Sequence, residues 1–183
     1  YADDWLIGIA GPKRLAVEIG NKVQNFLFDK LKLGHISTPP CIKHAKSEKA
    51  LFLGTLVCTQ NSGLPRGKKN KISTNSWTPT WDPIRLEAPI AKMIHSLHLA
   101  GFCNSKGQPL HKKDWLFRNL EEIITRANAG LKGYRDYYSF VDNYSSLRRI
   151  EYIIQYSCAK TISSKMKLHS LRKTFKNTPL PSE

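Results

Sequence analysis

Ala50-Leu51-Phe52-Leu53-Gly54-Thr55-Leu56-Val57-Cys58 is the stretch whose reading decides the fold class, because it separates a mixed chain from an all-helical one. It is apolar on both alternations and reads as a mostly buried strand. Ahead of it, from Lys13 to Leu33, the apolar positions Leu15, Ile19, Val23, Phe26, Leu27 and Leu31 follow helical spacing with Lys and Asn between them. Pro39-Pro40 excludes regular helix between Gly34 and Cys41. Nearest the start, Leu6 to Ile9 reads as a short strand closed by Gly11-Pro12, which makes Asp3-Asp4 the turn of a hairpin. Strand, helix and strand define an α+β unit, with the amphipathic helix expected to pack on the sheet.

Working outward in the other direction, periodicity vanishes from about Thr59 to Pro83. That stretch is rich in Gly, Ser, Asn, Thr and Pro and carries Arg66, Lys68, Lys69 and Lys71. It is a basic linker or loop insertion, with solvation and phosphate contact both open as its role. Beyond it the pattern is helical. Pro89 to Ala100 turns Ile90, Met93, Ile94 and Leu97 inward and stops at Gly101. Asp114 is placed to cap a second helix through Leu116, Leu120, Ile123, Ile124, Ala127 and Leu131. A third runs from about Ser145 to Leu168 on Leu147, Ile150, Ile154, Cys158 and Ile162. The expected organisation is α+β over 1–58, the basic stretch over 59–84, and an all-α part over 85–183.

Lys and Arg number 29 against 14 acids, a formal charge of +15, which points to a polyanionic partner, nucleic acid first. Cys41, Cys58, Cys103 and Cys158 form no CxxC pair, so neither a zinc module nor a disulfide framework is indicated, and all four are expected as reduced, buried thiols. No apolar stretch approaches a membrane span.

Two groupings suggest chemistry. Adjacent ionised carboxylates repel, so Asp3-Asp4 is an exposed acidic turn, a pair with one member protonated, or a holder of divalent cations between protein and substrate. His95 and His98 lie three apart on a helix with His111 nearby, a zinc-like spacing that lacks acidic or Cys partners in register and therefore reads as ordinary histidines. Arg118, Arg126, Lys132, Arg135, Arg148, Arg149, Lys160 and Lys165 surround Tyr134, Tyr137, Tyr138 and Phe140, a basic and aromatic mixture suited to structured RNA. Rings at helical spacing are more often core than stacking platforms.

The order Tyr1-Ala2-Asp3-Asp4, apolar strand, helix, and Ser47-Glu48-Lys49-Ala50-Leu51-Phe52-Leu53-Gly54 resembles the end of the palm in group II intron-encoded reverse transcriptase and maturase proteins. Ala88-Pro89-Ile90 and Gly101-Phe102-Cys103 resemble the start and turn of that family's thumb. Gly133-Tyr134-Arg135-Asp136-Tyr137-Tyr138-Ser139-Phe140-Val141-Asp142-Asn143 and Tyr156-Ser157-Cys158-Ala159-Lys160-Thr161 resemble the signature of its maturase domain.

The resemblance implies a C-terminal part of such a protein: the end of a palm, a helical thumb and the maturase domain. By the same resemblance, Tyr1, Asp3 and Asp4 are catalytic positions of the complete protein, with Asp3 and Asp4 ligating Mg2+. Phe52, Leu53 and Gly54 form a primer grip. Arg118, Arg126, Asn128, Arg135, Tyr137, Tyr138, Asn143, Arg148, Lys160 and Lys165 contact RNA. The implied partner is intron RNA, with a DNA primer or target in the complete protein, and the oligomeric state stays open. RNA-directed DNA polymerase activity would reside in that complete protein, whose third catalytic Asp lies on a strand upstream of this chain. A mobility role through reverse transcription and a decayed reading frame remain alternatives to splicing. Two departures from the family pattern stand out: Lys43 is the only candidate near Pro39-Pro40 for the Lys that follows the palm helix, and Arg126-Ala127-Asn128 replaces an Arg-Tyr-Asn run. The location implied is organellar, mitochondrial before plastid or bacterial.

Overall fold

A computed structural model describes residues 4–32, 41–59, 84–168 and 170–177. The described residues are mixed α+β, with five α-helices and one three-stranded sheet. The chain divides into two compact units, 1–85 and 86–183.

In the first unit, α1 (Lys13–Leu31) begins after Pro12, whose carbonyl takes the N–H groups of Leu15 and Ala16. It ends where Lys32 turns left-handed at φ 53° and donates to the Leu27 carbonyl. Two short strands follow, β1 (Ala50–Phe52) and β2 (Thr55–Thr59), and β3 (Ile84–Glu87), at the division between the units, completes the sheet in the order β1-β2-β3. β1 and β2 are antiparallel, with Ala50 opposite Val57 and Phe52 opposite Thr55.

Three expectations are corrected here. The single strand over Ala50–Cys58 is a tight hairpin: Leu53 and Gly54 both take positive φ, 44° and 73°, the twist that a two-residue loop needs to match its strands. Leu6 to Ile9 is not a strand, because no neighbour among the described residues pairs with it, and Trp5, Leu6 and Ile7 are exposed. Nor, among the described residues, is the apolar stripe of α1 fully covered: Ile19, Val23 and Leu27 are only half-buried. Leu15, Val17, Phe26, Phe28 and Leu31 are exposed and only Gly20 is buried, since strands of three to five residues offer little face to cover a helix of 19.

The second unit holds the core. Its helices are α2 (Ile90–Leu99), α3 (Leu120–Tyr137), α4 (Arg148–Lys165) and α5 (Leu171–Asn177), with 3-10 turns at Lys113–Trp115 and Tyr144–Leu147. Gly101, at φ 79°, ends α2 as expected. Leu147, Ile150, Ile154, Cys158 and Ile162, the stripe read from the sequence, are all buried. They meet Met93 and Leu97 of α2 and Ile123, Ala127 and Leu131 of α3 in one cluster.

Two boundaries differ from expectation. Asp114 does not cap α3. It lies in a 3-10 turn, with its carboxylate 3.4 Å from the Lys112 ammonium, and the helix starts six residues later with Asn119 at the cap position. The turn is held there by Trp115, buried edge-on against Phe102 at 5.3 Å between ring centroids. α5 is a helix that the apolar pattern did not indicate. Cys58, Cys103 and Cys158 are buried thiols, whereas Cys41, at the start of an irregular stretch, is exposed. No helix among the described residues is long and apolar enough to cross a membrane.

Candidate nucleic-acid interface

α4 carries a polar seam beside its apolar stripe, and the seam fastens the irregular segment between α2 and α3. Arg149 donates to the carbonyl of Gly107 (3.0 Å), Ser157 to that of Leu110 (2.6 Å), Lys160 to that of Pro109 (2.7 Å) and Lys165 to that of Leu116 (2.9 Å). Thr161, fully buried, donates to the Ser157 carbonyl and accepts the N–H of Lys112 at 2.8 Å. Buried backbone groups without a helix or sheet partner need such donors and acceptors. Gly107 completes the fit: at φ 72°, a Cβ would come within 3.2 Å of Ile94 and 3.4 Å of Arg149.

The seam accounts for Tyr156-Ser157-Cys158-Ala159-Lys160-Thr161. Ser157, Lys160 and Thr161 hold backbone, and Cys158 is buried so fully that its thiol is pushed up to about 12. Nothing in a single sequence signals this, since the partners are main-chain carbonyls some fifty residues away.

The remaining expected RNA residues fall into two groups. Arg118 and Arg126 both bond the same oxygen of Glu122, one turn away on α3, and Arg126 first, then Arg118, holds that carboxyl below its ordinary range. Arg135 joins α3 to α4 through Glu151 at 2.5 Å. Tyr138 is buried, edge-on to Tyr137 at 4.8 Å, and burial raises its phenol. Asn143 gives both ends of its amide to Ala88. These side chains shape the surface.

Others lie on it. Asn128, Tyr137 and Arg148 are exposed, and Asn128 shares with Lys132, Arg135 and Asp136 the wall of a shallow depression of about 600 Å³ along α3. A second exposed feature was missed. Tyr152 and Tyr156 on α4 stand 4.3 Å apart, Phe175 of α5 is 5.5 Å from Tyr156, and the Arg149 guanidinium lies 5.5 Å over Tyr152. The i, i+4 spacing of the two tyrosines was readable, but α5 had to be seen for the third ring to join them.

The expected catalytic positions are described only in part. Tyr1 and Asp3 lie outside the described residues, as does the basic stretch over 60–83, and Asp4 is exposed. Among the described residues no three of His, Cys, Asp or Glu converge as a cation would require, so the residues in view do not by themselves fit a Mg2+ site. The histidine grouping likewise does not assemble: His98 bonds the Cys103 carbonyl at 2.9 Å, while His95 and His111 are exposed. Phe52 ends β1 opposite Thr55, and Leu53 and Gly54 form the β1–β2 turn. Lys43 is 3.6 Å from Glu48, whose carboxyl is lowered by the His44 N–H and then by Lys43.

Comparison with known proteins places this arrangement. The family model for the type II intron maturase matches residues 82–178. Group II intron-encoded protein LtrA of Lactococcus lactis subsp. cremoris is 33% identical over 91% of this chain and 28% of its own length. The COX1/OXI3 intron 1 protein of Saccharomyces cerevisiae is 33% identical over 96% of this chain and 22% of its own. Maturase K of Chara connivens is 31% identical over 88% and 33% respectively. The chain thus spans between about a fifth and a third of the length of these relatives.

Proposed function

The chain belongs to the type II intron maturase family, and on that premise we propose that it binds intron RNA and promotes its splicing. The observation that carries this reading is the division of charge in the second unit. Glu122 is taken by Arg118 and Arg126, Glu151 by Arg135, and the Asp142 carboxylate by the Leu86 N–H. Lys132, Arg148, Arg172, Lys173 and Lys176 meanwhile stand exposed. Those acids have partners within the fold, and although Asp114, Glu121 and Asp136 stay exposed, exposed cations well outnumber exposed acids among the described residues of this unit, which is the electrostatic footprint of a phosphate-binding surface.

Tyr138, Asn143, Lys160 and Lys165 act in this reading as positioning residues, holding the elements that present Asn128, Tyr137, Arg148 and the cations of α5. A protein so bound lowers the free energy of the folded intron relative to its unfolded forms by mass action, and the RNA then performs its own chemistry. Reverse transcription with Mg2+ on a DNA primer belongs to the complete protein that the resemblance implies, and no polymerase step is assigned to the residues described. We place the protein in an organelle, the mitochondrion in our reading, supported by relatives named for COX1/OXI3 introns.

The test is equilibrium binding of the host intron RNA to the chain at stepped salt, with splicing followed in parallel. If about six phosphates are neutralised, affinity falls by roughly three decades between 50 and 200 mM salt. Salt-insensitive binding, or splicing unchanged by the protein, would overturn the proposal.

A further inference from the structure

We propose that the row Arg149, Tyr152, Tyr156 and Phe175 is a stacking platform for unpaired bases of a single-stranded RNA segment, flanked by the cations of α5 that take its phosphates. This deepens the RNA-binding reading and rests on it. The guanidinium and three rings succeed one another at 5.5, 4.3 and 5.5 Å, with Tyr152 and Tyr156 tilted by 38° and Tyr156 and Phe175 by 58°. Both end rings keep open surface, Tyr152 at 38% and Phe175 at 42% of full exposure.

Were the rings there only to seat α5, the outer ones would be covered. The residue that α5 buries fully is Thr174, so the helix is seated through that side chain while its neighbour Phe175 keeps open surface. Cations predominate on the two helices that carry the row. α5 carries Arg172, Lys173 and Lys176 and no acid, and the one acid of α4, Glu151, is bonded to Arg135.

A π-face accepts any base, and a neighbouring cation accepts its phosphate, the combination by which single strands are bound without sequence readout. A duplex keeps its bases stacked on each other and offers none to the row. The occupant is therefore an unpaired loop or joining segment of RNA.

The experiment uses the full chain, an unstructured uridine-rich oligoribonucleotide, a duplex of the same length, and the intron RNA. Tyr152→Leu and Phe175→Leu keep apolar bulk and remove the π-face; each should weaken single-strand binding about tenfold with the salt slope unchanged. Tyr152→Phe should restore it, and duplex binding should not move. Arg172→Gln with Lys176→Gln should instead lower the single-strand salt slope by about 1. Urea midpoints confirm that each variant is folded.

Wild-type affinity in the two Leu variants, or equal loss for duplex and single strand, overturns the platform. Binding of intron RNA without binding of the oligoribonucleotide also overturns it while leaving the proposed function standing. Failure to bind any of the three overturns both.

Discussion

Asn143 and Ala88, 55 residues apart in sequence, exchange a reciprocal pair of hydrogen bonds: the Ala88 N–H donates to Oδ1 at 2.8 Å, and Nδ2 donates to the Ala88 carbonyl at 3.1 Å. The preceding residue repeats the device one step away. The Leu86 N–H donates to the Asp142 carboxylate and the Asp142 N–H to the Leu86 carbonyl, both at 2.8 Å. Two adjacent residues after α3 thus imitate a strand partner for the backbone entering α2, where Ala88 is nearly inaccessible to water. Asn143→Ala should lower unfolding free energy by about 2 kcal/mol, because it strands the buried Ala88 N–H and leaves the Ala88 carbonyl with the Ile90 N–H alone. Urea denaturation measures it, and an unchanged midpoint would show that water replaces the amide.

Thr161→Val is close to isosteric and removes the acceptor of the Lys112 N–H and the donor to the Ser157 carbonyl. The expected cost is about 1–3 kcal/mol. Amide hydrogen exchange at Lys112 should accelerate well before global unfolding, whereas exchange at Ile123 in α3 should keep its protection.

Burial raises Cys158 to about 12 and moves Cys103 in the same direction, with Arg149 opposing. A thiol whose folded pKa lies above its unfolded value favours the fold below the unfolded pKa of about 8.5. That contribution is lost as pH rises from there through 12. Stability should therefore decline along the alkaline limb, and Cys158→Ala should flatten the decline while lowering stability near neutrality through the small cavity it leaves. Thiol labelling of the native protein at pH 8 should reach Cys41, which is exposed, long before Cys158.

Glu122→Gln removes the carboxylate that Arg118 and Arg126 share. RNA affinity should rise by a few fold and the salt dependence should steepen, because two guanidiniums become available to phosphates. The wild-type carboxyl is held low by Arg126 and then Arg118, so its contribution to stability is present above the unfolded pKa and fades as pH falls through the folded one. Below that pH the wild type and Glu122→Gln should bind RNA alike. A variant that binds more weakly than wild type at neutral pH would mean that the pair orders α3 for RNA rather than restraining its cations.

Periodicity carried most of what the sequence revealed. Leu147, Ile150, Ile154, Cys158 and Ile162 announce α4 because a buried helix repeats its apolar contacts every three to four residues. The β1–β2 hairpin was hidden because Leu53, a residue that pays a steric penalty at positive φ, occupies a turn position where Asn or Gly is the usual signal. Asp114 differs for another reason: a capping side chain is only as informative as the helix start beside it, and its neighbour Trp115 is held in a 3-10 turn by Phe102, which lies outside the local sequence.

For the candidate surface, residue type identified the cations but not their occupations. Arg148 and Lys160 are alike on paper, yet one faces solvent and the other holds the Pro109 carbonyl. The row of Tyr152, Tyr156 and Phe175 needed α5, a seven-residue helix with too few turns to show a pattern.

The α4 seam fastens its partner segment by backbone carbonyls at Gly107, Pro109, Leu110 and Leu116. Carbonyls are common to every amino acid, so inheritance across that contact is lopsided. The helix side must keep a guanidinium, a hydroxyl and two ammonium groups in register, while much of the opposing segment is free to drift under mutation. For the seam itself its strict requirements reduce to the αL turn at Gly107 and an N–H at position 112, which excludes proline there, while Cys103 and Trp115 are fixed separately by the core. Among descendants of this chain, the helix should therefore look frozen and the loop it holds should look careless, although each is equally necessary to the contact.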